Sequence, residues 1–254
     1  MELGFDVIAM LFSVATVAGF IDAIAGGGGL LTIPALLSTG LPPAIALGTN
    51  KLQACGGSFS ASLYFVRKKA VDLKQVALLI LLTFIGAALG TIMVQNIDVN
   101  ALKIGLPFLI FAIGIYFLFS QNIGDQDRKQ RISYPLFGFT AGMGLGFYDG
   151  VFGPAVGSFY TLAFVLLLGF NLTKAVAHAK VLNFTSNLAS LLFFIFGGAV
   201  LWKIGFIMLI GQFIGATLGA RMVVTKGKKL IRPMLVTISF IMVAKMLYEQ
   251  GFFG

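Results

Sequence analysis

The sequence has a single cysteine, Cys55, a single histidine, His178, and only 11% charged residues in 254 positions. One cysteine excludes an intrachain disulfide, and beside one histidine it gives no metal-ligand spacing. Neither H-E-x-x-H nor G-x-S-x-G occurs, so an intramembrane enzyme would lack the usual nucleophile, base or metal site. Four glycines do run together at 26–29, but no Gly-Lys-Ser/Thr follows them, which argues against a nucleotide phosphate loop. The first residues include Glu2 and Asp6 and form no basic n-region, so residues 3–25 are expected to be a retained membrane helix and not a signal peptide.

What the chain has instead is apolar surface: 58% of residues are hydrophobic and the mean hydropathy is +0.98. A spanning helix needs about 20 mainly apolar residues. Runs 76–94, 101–119 and 205–224 reach about that length, so the fold class is an all-α, polytopic membrane protein. The net charge of +9 does not point to nucleic acid, because the basic residues sit mostly between spans and not on a solvent-exposed folded face. They read as markers of cytoplasmic loops, with some attraction to anionic membrane lipid.

The chain repeats itself. "GFIDAIAGG" from Gly19 returns as "GFYDGVFGP" from Gly146, which sets Asp149 opposite Asp22 at a spacing of 127. "IGAALG" from Ile85 returns as "IGATLG" from Ile214, and Lys51 returns as Lys180, both at a spacing of 129, so one small indel separates the two registers. Two halves follow, residues 1–120 and 135–254, joined by a polar linker at 121–134. Loop charge sets their relative orientation. "RKKAVDLK" is basic while its mate "GGAVLWK" keeps one lysine, and "QNIDVNALK" is nearly neutral while its mate "TKGKKLIR" is strongly basic. Equivalent loops therefore lie on opposite sides, which is an inverted repeat. Residues 67–69, 128–131 and 226–232 are expected in the cytoplasm and both termini outside. Each half is expected to hold five helical segments, in the first half 3–24, 29–39, 44–66, 76–94 and 101–119. The second is too short to span comfortably and reads as half of a re-entrant hairpin.

Gly26, Gly27, Gly28 and Gly29, and Gly153 in the mate, break helices at corresponding places in the two halves. Membrane-embedded backbone leaves helical form only where it is buried in protein or lines a cavity. In inverted-repeat transporters such breaks point to a substrate site, with helix N-termini aimed into it. Either these glycines let backbone amides approach an anion, or they only permit close helix packing.

A second polar cluster favours the site. Thr49, Asn50, Lys51 and Gln53 are mirrored by His178, Lys180, Asn183, Ser186 and Asn187. A lysine at mid-membrane costs about 3 kcal/mol on insertion scales unless it snorkels or finds a partner. Two at equivalent positions, each among hydroxyls and amides, suit a cationic site for a small anion; the competing reading is a pair of interfacial lysines. Asp22 and Asp149 either pair with the lysines, cap the following helices or carry a coupling proton. His178 is either a proton relay or a buried ring.

These motifs in this order, "GFIDAIAGGGG" and "GFYDGVFGP" followed by "ALGTNK" and "AHAKVLNFTSN", make the chain resemble the TauE/SafE sulfite exporter family, also called TSUP, and its bacterial YfcA-like members. The similarity covers nearly the whole chain. It implies a permease of the bacterial inner membrane that moves sulfite, sulfonates or related small anions, usually outward. The leading reading of the residues is alternating access, the two halves rocking around a site built from both breaks and both lysines, with no cofactor, metal or catalytic residue expected. Proton or cation coupling and homo-oligomerisation are both open to such a permease. A passive anion channel is the competing reading.

Overall fold

The computed structural model describes residues 4–96 and 126–249, all of the secondary structure there being helical. Helix α1 is Phe5–Ala25, α2 is Gly29–Leu37, α3 is Pro43–Arg67 and α4 is Ala77–Val94. Helix α5 is continuous but mixed: Tyr134–Phe137 is α-helical, Gly138–Gly142 makes a π turn and Met143–Val151 is α-helical again. Helix α6 is Val156–Leu167, α7 is Leu172–Phe196, α8 is Trp202–Lys226 and α9 is Lys228–Glu249. These bounds follow the sequence expectations within a few residues; the segment expected at 101–119 and the linker's first residues, 121–125, lie outside the described residues.

Local chemistry accounts for the ends. Pro43 begins α3 at a position where a missing N–H matters little. Asn171 caps α7 by accepting from Lys174 N–H at 3.0 Å, and Ser133 caps α5 in the same way through Leu136 N–H at 3.4 Å. Gly26 closes α1 in a left-handed conformation, φ 79°, and donates to the Asp22 carbonyl at 2.8 Å.

Among the described residues, α1, α4, α7 and α8 are long and apolar enough to cross a membrane. Helix α3 has 25 residues but carries polar ones, and the protein hides them: Thr49, Asn50, Lys51, Gln53, Ser58, Ser60 and Ser62 are all buried. Helices α2 and α6, of 9 and 12 residues, reach only about 13 and 18 Å at 1.5 Å per residue, well short of a hydrocarbon core about 30 Å thick.

The repeated glycine motifs are seams. Helix α4 packs on α5 and helix α8 on α1. A methyl at Gly86 or Gly90 would collide with the Met143 or Phe147 carbonyl of α5, and one at Gly215 would collide with the Thr16 carbonyl of α1. Small residues four apart let these backbones touch. The opposite faces carry exposed stripes, Leu78, Leu81, Ile85, Leu89 and Ile92 on α4 and Phe206, Ile210, Ile214 and Leu218 on α8. Helical stripes of this size suit lipid tails. Helices α3 and α7 pack together between the seams, α3 also against α8 and α7 against α4.

Several basic loops border one apolar cluster. Val71 and Val76 beside Arg67–Lys69, Leu168 and Phe170 beside the α6–α7 turn, and Ile231 just after Lys226–Lys229 belong to one apolar cluster. The chain at 126–132 lies across that turn, with Arg128 N–H donating to the Gly169 carbonyl at 2.6 Å and Arg131 N–H to the Leu167 carbonyl at 3.0 Å.

Candidate functional site

The charged and amide residues of α3 and α7 that face the breaks are held by partners, whereas the buried hydroxyls of Ser62 and Ser190 have none. Lys51 on α3 reaches the end of α5, where its Nζ donates to Asp149 Oδ1 at 2.7 Å and to the Asp149 carbonyl at 2.5 Å. Lys180 on α7 reaches the end of α1, donating to Asp22 Oδ2 at 2.9 Å and to the Asp22 carbonyl. The lysine of each half thus pairs with the aspartate of the other, and both lysine side chains are buried, at 3% and 1% exposure. This is not a snorkelling geometry.

The breaks face each other at the same place. A methyl on Gly26 would strike the Gly157 backbone, and Ser158 Oγ donates to the Ala25 carbonyl across the contact. Gly153, φ 92°, lies against the Lys51–Asp149 pair: a methyl there would come within 2.7 Å of Asp149 Oδ1 and 3.0 Å of Lys51 Nζ. Tyr148 Oη donates to the Pro154 carbonyl at 2.5 Å and holds that turn closed.

Between these groups is a cavity of about 30 Å³, lined by Asp22, Gly26, Gly28, Gly29, Asn50, Lys51, Ala54, Asp149, Gly153, Val156, Asn183, Asn187 and Gln212. That volume has room for about two waters. The donors around it are oriented by second partners. Thr32 Oγ1 and Gln53 Nε2 both donate to Asn50 Oδ1, at 2.6 and 2.7 Å, so the Asn50 amide nitrogen is the end left for the cavity. On the other side Asn187 Nδ2 donates to Asn183 Oδ1 at 2.9 Å, and Asn183 Nδ2 lies 3.4 Å from Asp22 Oδ2. Ser186 Oγ donates to Asp149 Oδ2 at 2.5 Å.

Ten of the residues singled out in the sequence therefore meet at the cavity: Asp22, Gly26, Gly28, Gly29, Asn50, Lys51, Asp149, Gly153, Asn183 and Asn187. Lys180 and Ser186 stand directly behind the two carboxylates, and Gln53 stands behind Asn50. Three others are elsewhere. Gly27 turns its carbonyl to Leu30 N–H at 3.2 Å. Thr49 Oγ1 accepts from Leu201 N–H at 3.0 Å and so ties α3 to the start of α8. His178 is packed against the Phe164 and Phe170 rings, with Nδ1 2.8 Å from the Lys174 carbonyl, so it is a buried ring away from the cavity.

Gln212 is the site residue that the motif reading missed. Its signal was present, a lone amide inside the apolar run 205–224, but its repeat mate is Thr83 and it belongs to no repeated polar motif. It is received by two glycines, since a methyl on Gly19 would come within 2.9 Å of Gln212 Oε1 and one on Gly57 would strike it. No group of three or more His, Cys, Asp or Glu residues suited to a metal occurs among the described residues.

The cavity's formal charge is the deciding electrostatic fact. Two buried ammonium groups face two carboxylates, so the set sums to zero. The Asp22 carboxylate also accepts Gly28 N–H at Oδ1, 3.2 Å away. The two ammonium groups and the Gly28 N–H, donors suited to an incoming anion, are thus occupied by the chain's own carboxylates, while the Asn50 amide nitrogen stays turned to the cavity.

Comparison with known proteins gives the same direction. The family model described as "Sulfite exporter TauE/SafE" matches residues 11–246. A probable membrane transporter protein of Haemophilus influenzae is 63% identical over 253 residues, covering 100% of this chain and 99% of the relative. The probable membrane transporter protein YfcA of Escherichia coli K12 is 56% identical over 243 residues, 96% of this chain and 90% of the relative. A probable membrane transporter protein ORF9 of Sinorhizobium sp is 48% identical over 248 residues, 98% and 95% of the two chains. No solved structure matches the chain.

Proposed function

The chain belongs to the TauE/SafE sulfite exporter family and is a bacterial multi-pass membrane transporter, not an enzyme, and on that premise we propose that it carries a small sulfur oxyanion, sulfite or a sulfonate, through the cavity between its two halves. The observation that carries this reading is the crossed pairing of Lys51 with Asp149 and Lys180 with Asp22 around one buried polar cavity. Ammonium, amide and backbone N–H groups converge there, which is the donor set an oxyanion takes. The cavity holds only about two waters, so passage of an oxyanion requires the halves to part around it, on one side and then on the other.

Alternating access of this kind suits an inverted repeat. Three observations support that arrangement. The loops richest in lysine and arginine border one apolar cluster, and the basic stretch at 128–131 is hydrogen-bonded to the α6–α7 turn. The equivalent glycine seams use equivalent partners, α4 with α5 and α8 with α1. Lys51 follows the start of α3, and Lys180 the start of α7, by the same eight positions, about 12 Å of helix. With α3 entering from outside and α7 from the cytoplasm, each lysine approaches the midplane from its own side. In this reading residues 1–120 and 135–254 are the two repeats, the linker 121–134 is cytoplasmic and the termini are external.

Counterflow in proteoliposomes tests the substrate class. Exchange of internal unlabelled for external labelled sulfite, competed by thiosulfate or sulfoacetate, is the expected result. Absence of exchange across a panel that includes sulfate overturns the assignment, and net flux without counterflow identifies a channel.

A further inference from the structure

The two ion pairs, equivalent by repeat, are unequal in surroundings. Asp149 is sealed: its side chain is 2% exposed, Oδ1 is held by Lys51 and Oδ2 by Ser186. Asp22 has 17% of its side chain exposed. Its Oδ1 accepts Gly28 N–H at 3.2 Å, while Oδ2 takes Lys180 at 2.9 Å and a long contact from Asn183 at 3.4 Å. The repeat explains the difference at one position, since the counterpart of Ser186 in the first half is Gly57, which has no hydroxyl to donate. Among the described residues, the charged groups facing Asp22 are Lys180 from α7 and, across the cavity, Lys51 from α3 and Asp149 from α5; α8 contributes the neutral Gln212.

An anion entering this neutral, buried set would add an uncompensated negative charge, which a low-dielectric interior penalises heavily. Entry requires one positive charge more or one negative charge fewer. From the geometry we infer that Asp22 is a displaceable internal anion, and that its protonation is coupled to substrate binding. This rests on the anion-carrier reading above and extends it to coupling.

The step balances. A proton from water joins the Asp22 carboxylate, the Lys180–Asp22 ion pair opens, and Lys180 stays an ammonium. The substrate then takes Lys180 Nζ and Gly28 N–H in place of the carboxylate. With a monoanion such as hydrogensulfite the loaded cavity is again neutral. On release toward a less acidic side Asp22 loses its proton and returns to both donors, expelling the anion. One proton and one monoanion therefore move together in the same direction.

Calorimetry of sulfite binding to the purified full chain reads this directly, run in buffers of different ionisation enthalpy at a mildly acidic pH where free sulfite is the monoanion. About one proton should be taken up per sulfite bound to the parent. Asp22→Asn should bind sulfite without proton uptake and with an affinity flat in pH, while Asp127→Asn, whose carboxylate pairs with Lys174 away from the cavity, should still take up the proton. Binding to the parent with no proton uptake overturns the inference, as does unchanged uptake in Asp22→Asn. The parent measurement decides the matter even if the Asn variant does not fold. Failure of the parent to bind any oxyanion of the panel instead overturns the carrier reading on which the inference rests.

Discussion

Lys51 and Asp149 are 98 positions apart in the chain and 2.7 Å apart in the protein interior. Removing one partner of such a buried pair strands the other charge and typically destabilises by about 3–5 kcal/mol, whereas replacing both by apolar residues is often nearly neutral. Lys51→Met and Asp149→Leu are each expected to lower the unfolding midpoint in detergent sharply. The double variant should recover most of the loss. Additive losses in the double variant would show that the two side chains do not act as a pair.

The glycine seams make a separable prediction. Gly90→Ala places a methyl against the Phe147 carbonyl and should destabilise by about 1–3 kcal/mol. Gly144→Ala, on α5 where nothing lies within 4 Å of an added methyl, should be neutral or slightly stabilising. Thermal unfolding of both variants checks the contrast, and equal midpoints would remove the seam.

These two cases show what was legible in the sequence. Lys51, Lys180, Asp22 and Asp149 stood out because buried charge is rare in membranes and because the repeat doubled them. Their crossed pairing was not legible, since spacing within a half says nothing about which half supplies the partner. "IGAALG" and "IGATLG" revealed the repeat, yet only three-dimensional contact shows that these glycines meet carbonyls on α5 and α1. His178 and Thr49 looked like site residues because they neighbour Lys180 and Lys51 in sequence. On a helix adjacent residues point in different directions, so one member of each pair turned away. Gln212 was hidden for the opposite reason, being a single amide with no polar neighbour.

The linker should loosen in acid. Asp127 accepts from Asn171 N–H at 2.8 Å and pairs with Lys174 at 3.3 Å, fastening the chain at 126–132 to the α6–α7 turn. Partial burial, which alone raises a carboxyl, is outweighed by the hydrogen bonds from Asn171 and Lys174 and by the Lys174 charge, and Asp127 is held below its ordinary value of 3.8. A lowered folded value means that the fastening is fully present above the ordinary carboxylate range and is lost as pH falls through the folded value. Protease cleavage at Lys129 or Arg131, by an enzyme active in acid, should therefore rise at low pH. Asp127→Asn should show the raised cleavage already at neutral pH, and identical profiles for parent and variant would contradict this role.

Orientation can be read by labelling in intact cells. A cysteine at Thr39, in the α2–α3 turn, should react with a membrane-impermeant thiol reagent from outside, and one at Gln126 only after permeabilisation. The native Cys55 is buried and gives a low background. The reverse pattern would contradict the inverted repeat with external termini.

The central claim is that the donors now held by Asp22 bind the transported anion. Its most direct test is the apparent KM for labelled sulfite in counterflow, compared between Lys180→Gln, which removes the ammonium on Asp22, and Lys203→Gln, in the first turn of α8. A charge-assisted hydrogen bond contributes about 1.5–3 kcal/mol, and each 1.4 kcal/mol is a factor of ten in affinity. Lys180→Gln should raise the KM by about ten- to a hundredfold while Lys203→Gln leaves it at the parent value. A Lys180→Gln protein that exchanges sulfite with the parent's KM would contradict the account.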